Sequence, residues 1–193
     1  MKASVSLFHL HPRHLAAVTA LLLVLPGAAP MPVSSSELRY QAYTTGYAAL
    51  DNTPHGSTQI DLEGRTGTAG GTGTYGDPIT LAVGHSIVGG EDIGDYPHGT
   101  KWYVPNLRKY FIAADSCGNG DHPERGPCHI GYEGHAWLDL YVGGSLQSAV
   151  LDCEESITDL HLVIQNPAAN YAVVSGPVFD SGCEQYGDAV VAQ

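Results

Sequence analysis

From Leu38 onward the apolar residues gather in short stretches of Val, Ile, Tyr and Thr, and glycine or proline ends almost every one. With 24 glycines and 12 prolines the chain has too many breakers for long helices. β-branched and aromatic residues between such breakers favour strands. The expected strands are Leu38–Tyr47, Ile60–Leu62, Ile79–Val83, Lys101–Val104, Tyr110–Ala114, Ala136–Val142 and Ala172–Val174. Strands at this spacing point to an all-β barrel or sandwich. The one helical candidate is Cys153–Val163, where Glu154, Glu155, Asp159 and His161 alternate with Ile157, Leu160 and Val163. The glycine-rich stretch Gly64–Gly76 lacks a Gly-Lys-Ser/Thr ending, so it reads as a tightly turning or flexible surface loop rather than a phosphate cradle.

The N-terminus has the pattern of a secretory leader. Lys2 and Arg13 precede an apolar run from Leu15 to Leu25, and small residues follow at Gly27-Ala28-Ala29. The run is too short to span a bilayer. Residues 1–29 are therefore expected to be a signal peptide. Residues 30–193, roughly 160 positions, suit a single domain with its own core. The expected location is extracellular, with no membrane association and a monomeric state.

The formal net charge is −12, and Lys2 and Arg13 fall in the leader, so the exported part is more acidic still. Such a chain repels nucleic-acid phosphates and anionic lipid, which excludes nucleic acid as a partner. Neutral or cationic partners fit better.

Four cysteines, Cys117, Cys128, Cys153 and Cys183, lie in the exported part. An even count in a secreted chain reads as two disulfides with three possible connectivities. Cys117–Cys128 and Cys153–Cys183 each close a short or moderate loop beside an expected strand, and this is the pairing expected. The absence of a CxxC pair argues against a thiolate zinc site.

The run Trp137-Leu138-Asp139-Leu140-Tyr141 places a carboxylate between strand-forming residues. A bare buried carboxylate is very costly, so Asp139 must be solvated, paired or used. Its apolar neighbours would disfavour the charged form and raise its pKa, as a general acid requires. Asp115 ends an expected strand just before Cys117. It either caps the disulfide loop by accepting backbone N–H bonds or supports Asp139.

Gly99-Thr100-Lys101-Trp102-Tyr103-Val104-Pro105, then Ala113-Ala114-Asp115, then Leu138-Asp139-Leu140-Tyr141-Val142-Gly143 occur in that order. This series resembles the double-psi β-barrels of the three-aspartate, lytic transglycosylase A-like type, which are related to family-45 endoglucanases and expansins. The resemblance covers roughly Tyr43–Gly144. It implies a six-stranded double-psi β-barrel with long loops and a short helix, acting on a polysaccharide such as peptidoglycan or a β-1,4-glucan. It also implies that Asp139 is the catalytic acid and Asp115 the second aspartate of the pattern. The first aspartate is absent, because Ala82-Val83-Gly84-His85 stands where the pattern has Ala-Val-Asp-Pro. From the endoglucanase branch, Asp51 after the Thr/Tyr-rich first strand falls in the place of a catalytic base. A turn-forming role in Asp51-Asn52 is the competing reading.

Cleavage of a glycosidic bond needs an acid for the leaving oxygen and a second group that activates water or stabilises the transition state. Sugar faces stack on aromatic rings, and Tyr47, Trp102, Tyr132 and Trp137 are the candidate binding residues. Alternation puts Trp102 and Tyr103 on opposite faces, so one of the two belongs to a core. The histidines (His85, His98, His122, His129 and His135) show no recognised ligand spacing, so neither a metal nor another cofactor is expected. Gly84-His85-Ser86-Ile87-Val88 lacks the second glycine of a nucleophile elbow. An expansin-like, non-hydrolytic wall-binding protein is the alternative to a glycosidase.

Overall fold

The computed structural model describes residues 36–118 and 120–193, which form one compact unit. The expected leader, residues 1–29, lies outside the described residues. Six strands close into a barrel: β1 (Leu38–Ala48), β4 (Ile79–Val83), β7 (Lys101–Val104), β8 (Lys109–Ser116), β9 (Trp137–Gly143) and β10 (Asp159–Gln165). Their order around the wall is β1–β10–β7–β8–β4–β9. Two neighbouring pairs, β1–β9 and β4–β8, run parallel and the others antiparallel. The expected all-β barrel is therefore present, with mixed strand orientation.

Two hairpins stand beside the barrel: β2 (Gln59–Leu62) with β3 (Arg65–Thr68), and β5 (His85–Val88) with β6 (Glu91–Gly94). Each turns through two residues with positive φ, Glu63-Gly64 and Gly89-Gly90, the geometry that matches strand twist. β3 lies inside the glycine-rich stretch, so the first part of that expected loop is strand. Its later part is tightly turned. Gly70 exchanges hydrogen bonds with Thr80 of β4, and Gly71 has φ +110° against the Pro78 backbone.

The barrel core contains Leu81, Val83, Trp102, Phe111, Leu138, Leu140 and Val142. Strand alternation explains it: Leu138, Leu140 and Val142 turn inward, while Trp137 and Asp139 between them stay partly exposed. Trp102 and Tyr103 do face opposite ways, yet both are fully buried. Tyr103 joins Tyr110, Ile164 and Tyr171 in a second cluster. The segment after β10 supplies the cover. Its Ala168, Ala172 and Val174 carbonyls accept from the Tyr110 hydroxyl, the Tyr103 hydroxyl and the Lys109 ammonium, each at 2.7 Å. Ala172–Val174 is thus not the expected strand but an extended strap, whose carbonyls bond side chains instead of a neighbouring strand.

The helix is also displaced from expectation. α1 is a single turn at Pro127–Ile130, and α2 runs over Ala149–Ser156. Residues 159–163, the second part of the expected helix, belong to β10, because β1 offers an open antiparallel edge that this segment closes. Apolar residues at a spacing of three satisfied both readings, and tertiary pairing decided between them. Both disulfides pair as expected, Cys117 with Cys128 and Cys153 with Cys183.

A side chain on Gly71 would meet backbone on every near side, 2.6 Å from the Pro78 carbonyl carbon and 2.8 Å from the Ile79 Cα, in a left-handed conformation. Gly70 has nothing within 4 Å of a Cβ. Gly71→Ala is expected to cost roughly 2 kcal/mol or more of stability in urea unfolding, and Gly70→Ala less than about 1 kcal/mol.

Candidate functional site

Register across the wall sets out the site. Ala82 of β4 pairs with Asp115 of β8 on one side and with Asp139 of β9 on the other, and Asp139 pairs in parallel with Thr45 of β1. The two aspartates thus flank Ala82 across two strand spacings, about 10 Å between backbones. A methyl group between them leaves the space above the row open. A cleft of about 690 Å³ lies there, with Asp115, Ala82 and Asp139 in its lining. Asp51, in the turn after β1, lines it, as do Asp61 and Thr66 of the β2–β3 hairpin. Its size is that of a small-molecule site.

The carboxylates differ in their partners. Asp115 is buried and accepts three hydrogen bonds: from the Tyr47 hydroxyl at 2.8 Å, the Asp61 N–H at 3.1 Å and the Ser116 N–H at 2.9 Å. Burial raises its pKa, and these donors pull it back. Asp115 therefore fastens the β2–β3 hairpin to the barrel and caps the approach to the Cys117–Cys128 loop. Among the described residues the Asp139 carboxyl has a single donor, the Thr45 hydroxyl at 2.6 Å. Burial pushes it up to about 7, the Thr45 bond opposes the shift, and the charges of Asp51 and Asp115 add to it. A carboxyl group that keeps a share of its proton near neutrality thus lines an open cleft. Asp51 is exposed, and its Oδ1 accepts from the Ala48 N–H at 2.8 Å, so the turn-forming role is real.

The proposed binding aromatics divide among three places. Tyr47 lines the cleft, but it is largely buried and its hydroxyl is committed to Asp115. Trp102 is a correction: it is 0% exposed, with its indole N–H on the Tyr40 hydroxyl at 2.9 Å, so it packs the core and lines neither the cleft nor the second hollow. Tyr132 and Trp137 cluster around Tyr43 on the surface, with ring centroids 4.1 and 4.8 Å from it. Trp137 also lines a second hollow of about 350 Å³. A hydrogen-bond chain joins this cluster to the cleft: the Trp137 indole donates to the Thr45 hydroxyl at 2.8 Å, and Thr45 donates to Asp139.

Three of the histidines named above pair with acids, His85 with Asp92 at 2.6 Å, His129 with Asp95 at 2.7 Å and His122 with Glu124 at 3.1 Å. Among the described residues no group of three or more His, Cys, Asp or Glu side chains converges as a metal site.

Sequence reading missed Glu154. On α2 it is buried, 8% exposed, and its Oε1 has no hydrogen-bond partner. Burial first, then the charges of Asp51 and Asp139, push its pKa up to about 8. In the sequence it sits beside Glu155 and looks like a solvated face. Only its adjacency to the disulfide-bonded Cys153 hints at an inward position.

The raised pKa of Asp139 has a stability consequence with a definite sign. The folded state holds this proton more tightly than the unfolded chain, so its contribution is complete below pH 4 and lost as pH rises to about 7. Asp139→Asn, which keeps an acceptor for Thr45, removes that loss. Urea unfolding should show the variant becoming more stable than the wild type between pH 4 and 8, by on the order of 1–3 kcal/mol. A pH-independent difference would refute the burial argument.

Comparison with known proteins adds family membership. The family model for the DDB_G0273701 N-terminal domain matches residues 39–186, which include every barrel strand apart from the first residue of β1. The chain is 32% identical over 151 residues to the uncharacterized protein DDB_G0273701/DDB_G0273221 of Dictyostelium discoideum. The alignment covers 76% of this chain and 60% of that protein, so the chain spans somewhat over half of its relative's length. No solved structure matches the chain significantly. With the match running across nearly the whole barrel, the chain belongs to the DDB_G0273701 N-terminal domain family.

Proposed function

We propose that this protein is a secreted, polysaccharide-active enzyme that cleaves glycosidic bonds with Asp139 as general acid. One observation carries the reading: a carboxylic acid whose pKa burial raises to about 7 stands in an open cleft with a second carboxylate, Asp51, in the same lining. Two parallel strand pairs in a closed six-stranded barrel support relating it to the double-psi barrels. The two disulfides are compatible with an extracellular protein.

In the hydrolytic scheme Asp139 gives its proton to the leaving glycosidic oxygen. Asp51 takes a proton from the water that attacks the anomeric carbon, and the configuration inverts. In the transglycosylase-like scheme a hydroxyl of the sugar itself attacks, and Asp139 does most of the proton transfer. Asp115 and Tyr47 keep the cleft wall in place. Tyr132 and Trp137 offer a stacking surface for sugar units beyond the scissile bond. Peptidoglycan and β-1,4-glucan are the substrate classes, and the acidic surface disfavours anionic pectins.

The second reading is an expansin-like protein that binds or loosens a wall polymer without hydrolysis. The bond from the Ala48 N–H to Asp51 favours it, since a carboxylate oxygen held in a turn is less free to position the attacking water.

Mass spectrometry of soluble sugar released from insoluble peptidoglycan and from cellulose tests the proposal. The wild type should release product, with a rate that falls as pH rises through about 7, and Asp139→Asn should lose about 100-fold or more. Product masses separate hydrolysis from anhydro-sugar formation. Polymer binding without release would transfer the assignment to the expansin-like reading.

A further inference from the structure

We propose that the second hollow is a subsite for a neutral sugar unit of the same polysaccharide, with the Trp137 ring as its apolar wall and the Asp95–His129 pair as its polar arm. The choice of a sugar as occupant rests on the carbohydrate reading above, whereas the hollow and its position do not.

Strand alternation puts the hollow next to the cleft. Asp139 lines the cleft and Trp137 lines the hollow. The two residues stand two positions apart on β9, so they share its outward face about 7 Å from one another. On the neighbouring strand Ala82 lies opposite Asp139, and Gly84 follows at the end of β4. A chain whose scissile bond lies over Asp139 and that follows this face passes next over Trp137.

The walls of the hollow are fastened before any ligand arrives. Asp95 follows β6, and its N–H donates to the Gly84 carbonyl at 2.8 Å. A Cβ on Gly84 would run into the Asp95 carboxylate and lie 2.7 Å from the Cys128 carbonyl carbon, so glycine there lets both walls come together. The Cys117–Cys128 disulfide ties α1 to the residue after β8. The turn from Tyr132 to His135 closes with two backbone hydrogen bonds, at 3.0 and 2.8 Å, through Glu133 and Gly134 at positive φ. A preformed hollow loses little freedom on binding.

The lining carries a few polar groups among apolar ones, the composition of a small-ligand site. Asp95 Oδ1 and His129 Nδ1 are 2.7 Å apart, and both side chains are solvent-accessible. The carboxylate fixes the imidazole, whose Nε2 has no hydrogen-bond partner among the described residues. The pair thus offers a carboxylate oxygen and a ring nitrogen to adjacent hydroxyls of a pyranose, while the indole takes the apolar face of the sugar ring. No lysine or arginine lines the hollow, and the chain carries a net charge of −12, which disfavours an anionic occupant. Trp137 is common to both sites, because its indole N–H reaches Asp139 through Thr45.

Proton–nitrogen NMR of the full chain as Asp139→Asn, which keeps an acceptor for Thr45 and slows turnover, tests the subsite by titration with cellohexaose and with the hexamer of N-acetylglucosamine. At least one hexamer should shift the Trp137 indole N–H and the His129 and Gly131 amides, together with those of Ala82 and Ser116 in the cleft. His129→Ala, at an accessible side chain, should weaken this binding about ten-fold, and His122→Ala, outside the hollow, should leave it unchanged. Shifts at Ala82 and Ser116 alone, or unchanged affinity in His129→Ala, would overturn the subsite and leave the glycosidase reading standing. Shifts in the hollow alone, with affinity lost in His129→Ala, would support the subsite and take the cleft out of the sugar's path. No shift with either hexamer would overturn the subsite, and sugar release by the wild type would then judge the glycosidase reading by itself.

Discussion

The closure of the barrel through β1 is the constraint on which the other features depend. β1 pairs in parallel with β9 along one edge and antiparallel with β10 along the other. Its alternation sends Ala42 and Thr44 inward and turns Tyr43, Thr45 and Tyr47 towards Trp137, Asp139 and Tyr141 of β9. A one-residue slip would move Asp139 into the core and Leu138 or Leu140 out, so burial holds the register. That register puts the Thr45 hydroxyl on Asp139. Gly46 then admits α2, since a Cβ there would lie 2.9 Å from the Glu154 Cα, and the turn after Ala48 brings Asp51 to the same end.

A strongly acidic chain must also keep carboxyl groups beside one another. Three solutions occur within one cleft. Asp115 is buried but accepts three donors, which stabilise its charge. Asp139, partly exposed to the cleft and with one donor, has its pKa pushed up to about 7 by the apolar wall around it. Asp51 stays in contact with water. Groups of one type in different environments acquire different protonation states, and that separation lets a pair of carboxyls divide acid and base work. The chemistry follows from where the strands place desolvation, not from any unusual residue.

Much of this was legible in the sequence. Ile79–Val83 and Lys101–Val104 were readable to the residue, and the long strands to within one or two positions, because β-branched runs ended at glycine or proline. Asp139 stood out as a carboxylate inside an apolar run. The hairpins were hidden, since β3, β5 and β6 are mostly exposed and carry no hydrophobic alternation; only the two-glycine turn Gly89-Gly90 betrayed one of them. β10 was hidden for another reason: its apolar spacing suited a helix, and the vacant edge of β1 overrode it. Trp102 looked available because alternation predicts a face but not what covers that face. Glu154 was invisible because its burial depends on a glycine more than a hundred positions earlier.

A general-acid role requires Asp139 to keep a substantial share of its proton near neutral pH while it lines a water-accessible cleft. Carbon-13 NMR titration of its side-chain carboxyl in the wild-type protein tests this most directly. A midpoint near 7 is expected, from burial with only one compensating hydrogen bond. A midpoint near 4, the ordinary aspartate range, would mean that the cleft solvates the carboxylate, and the general-acid assignment would fall with it.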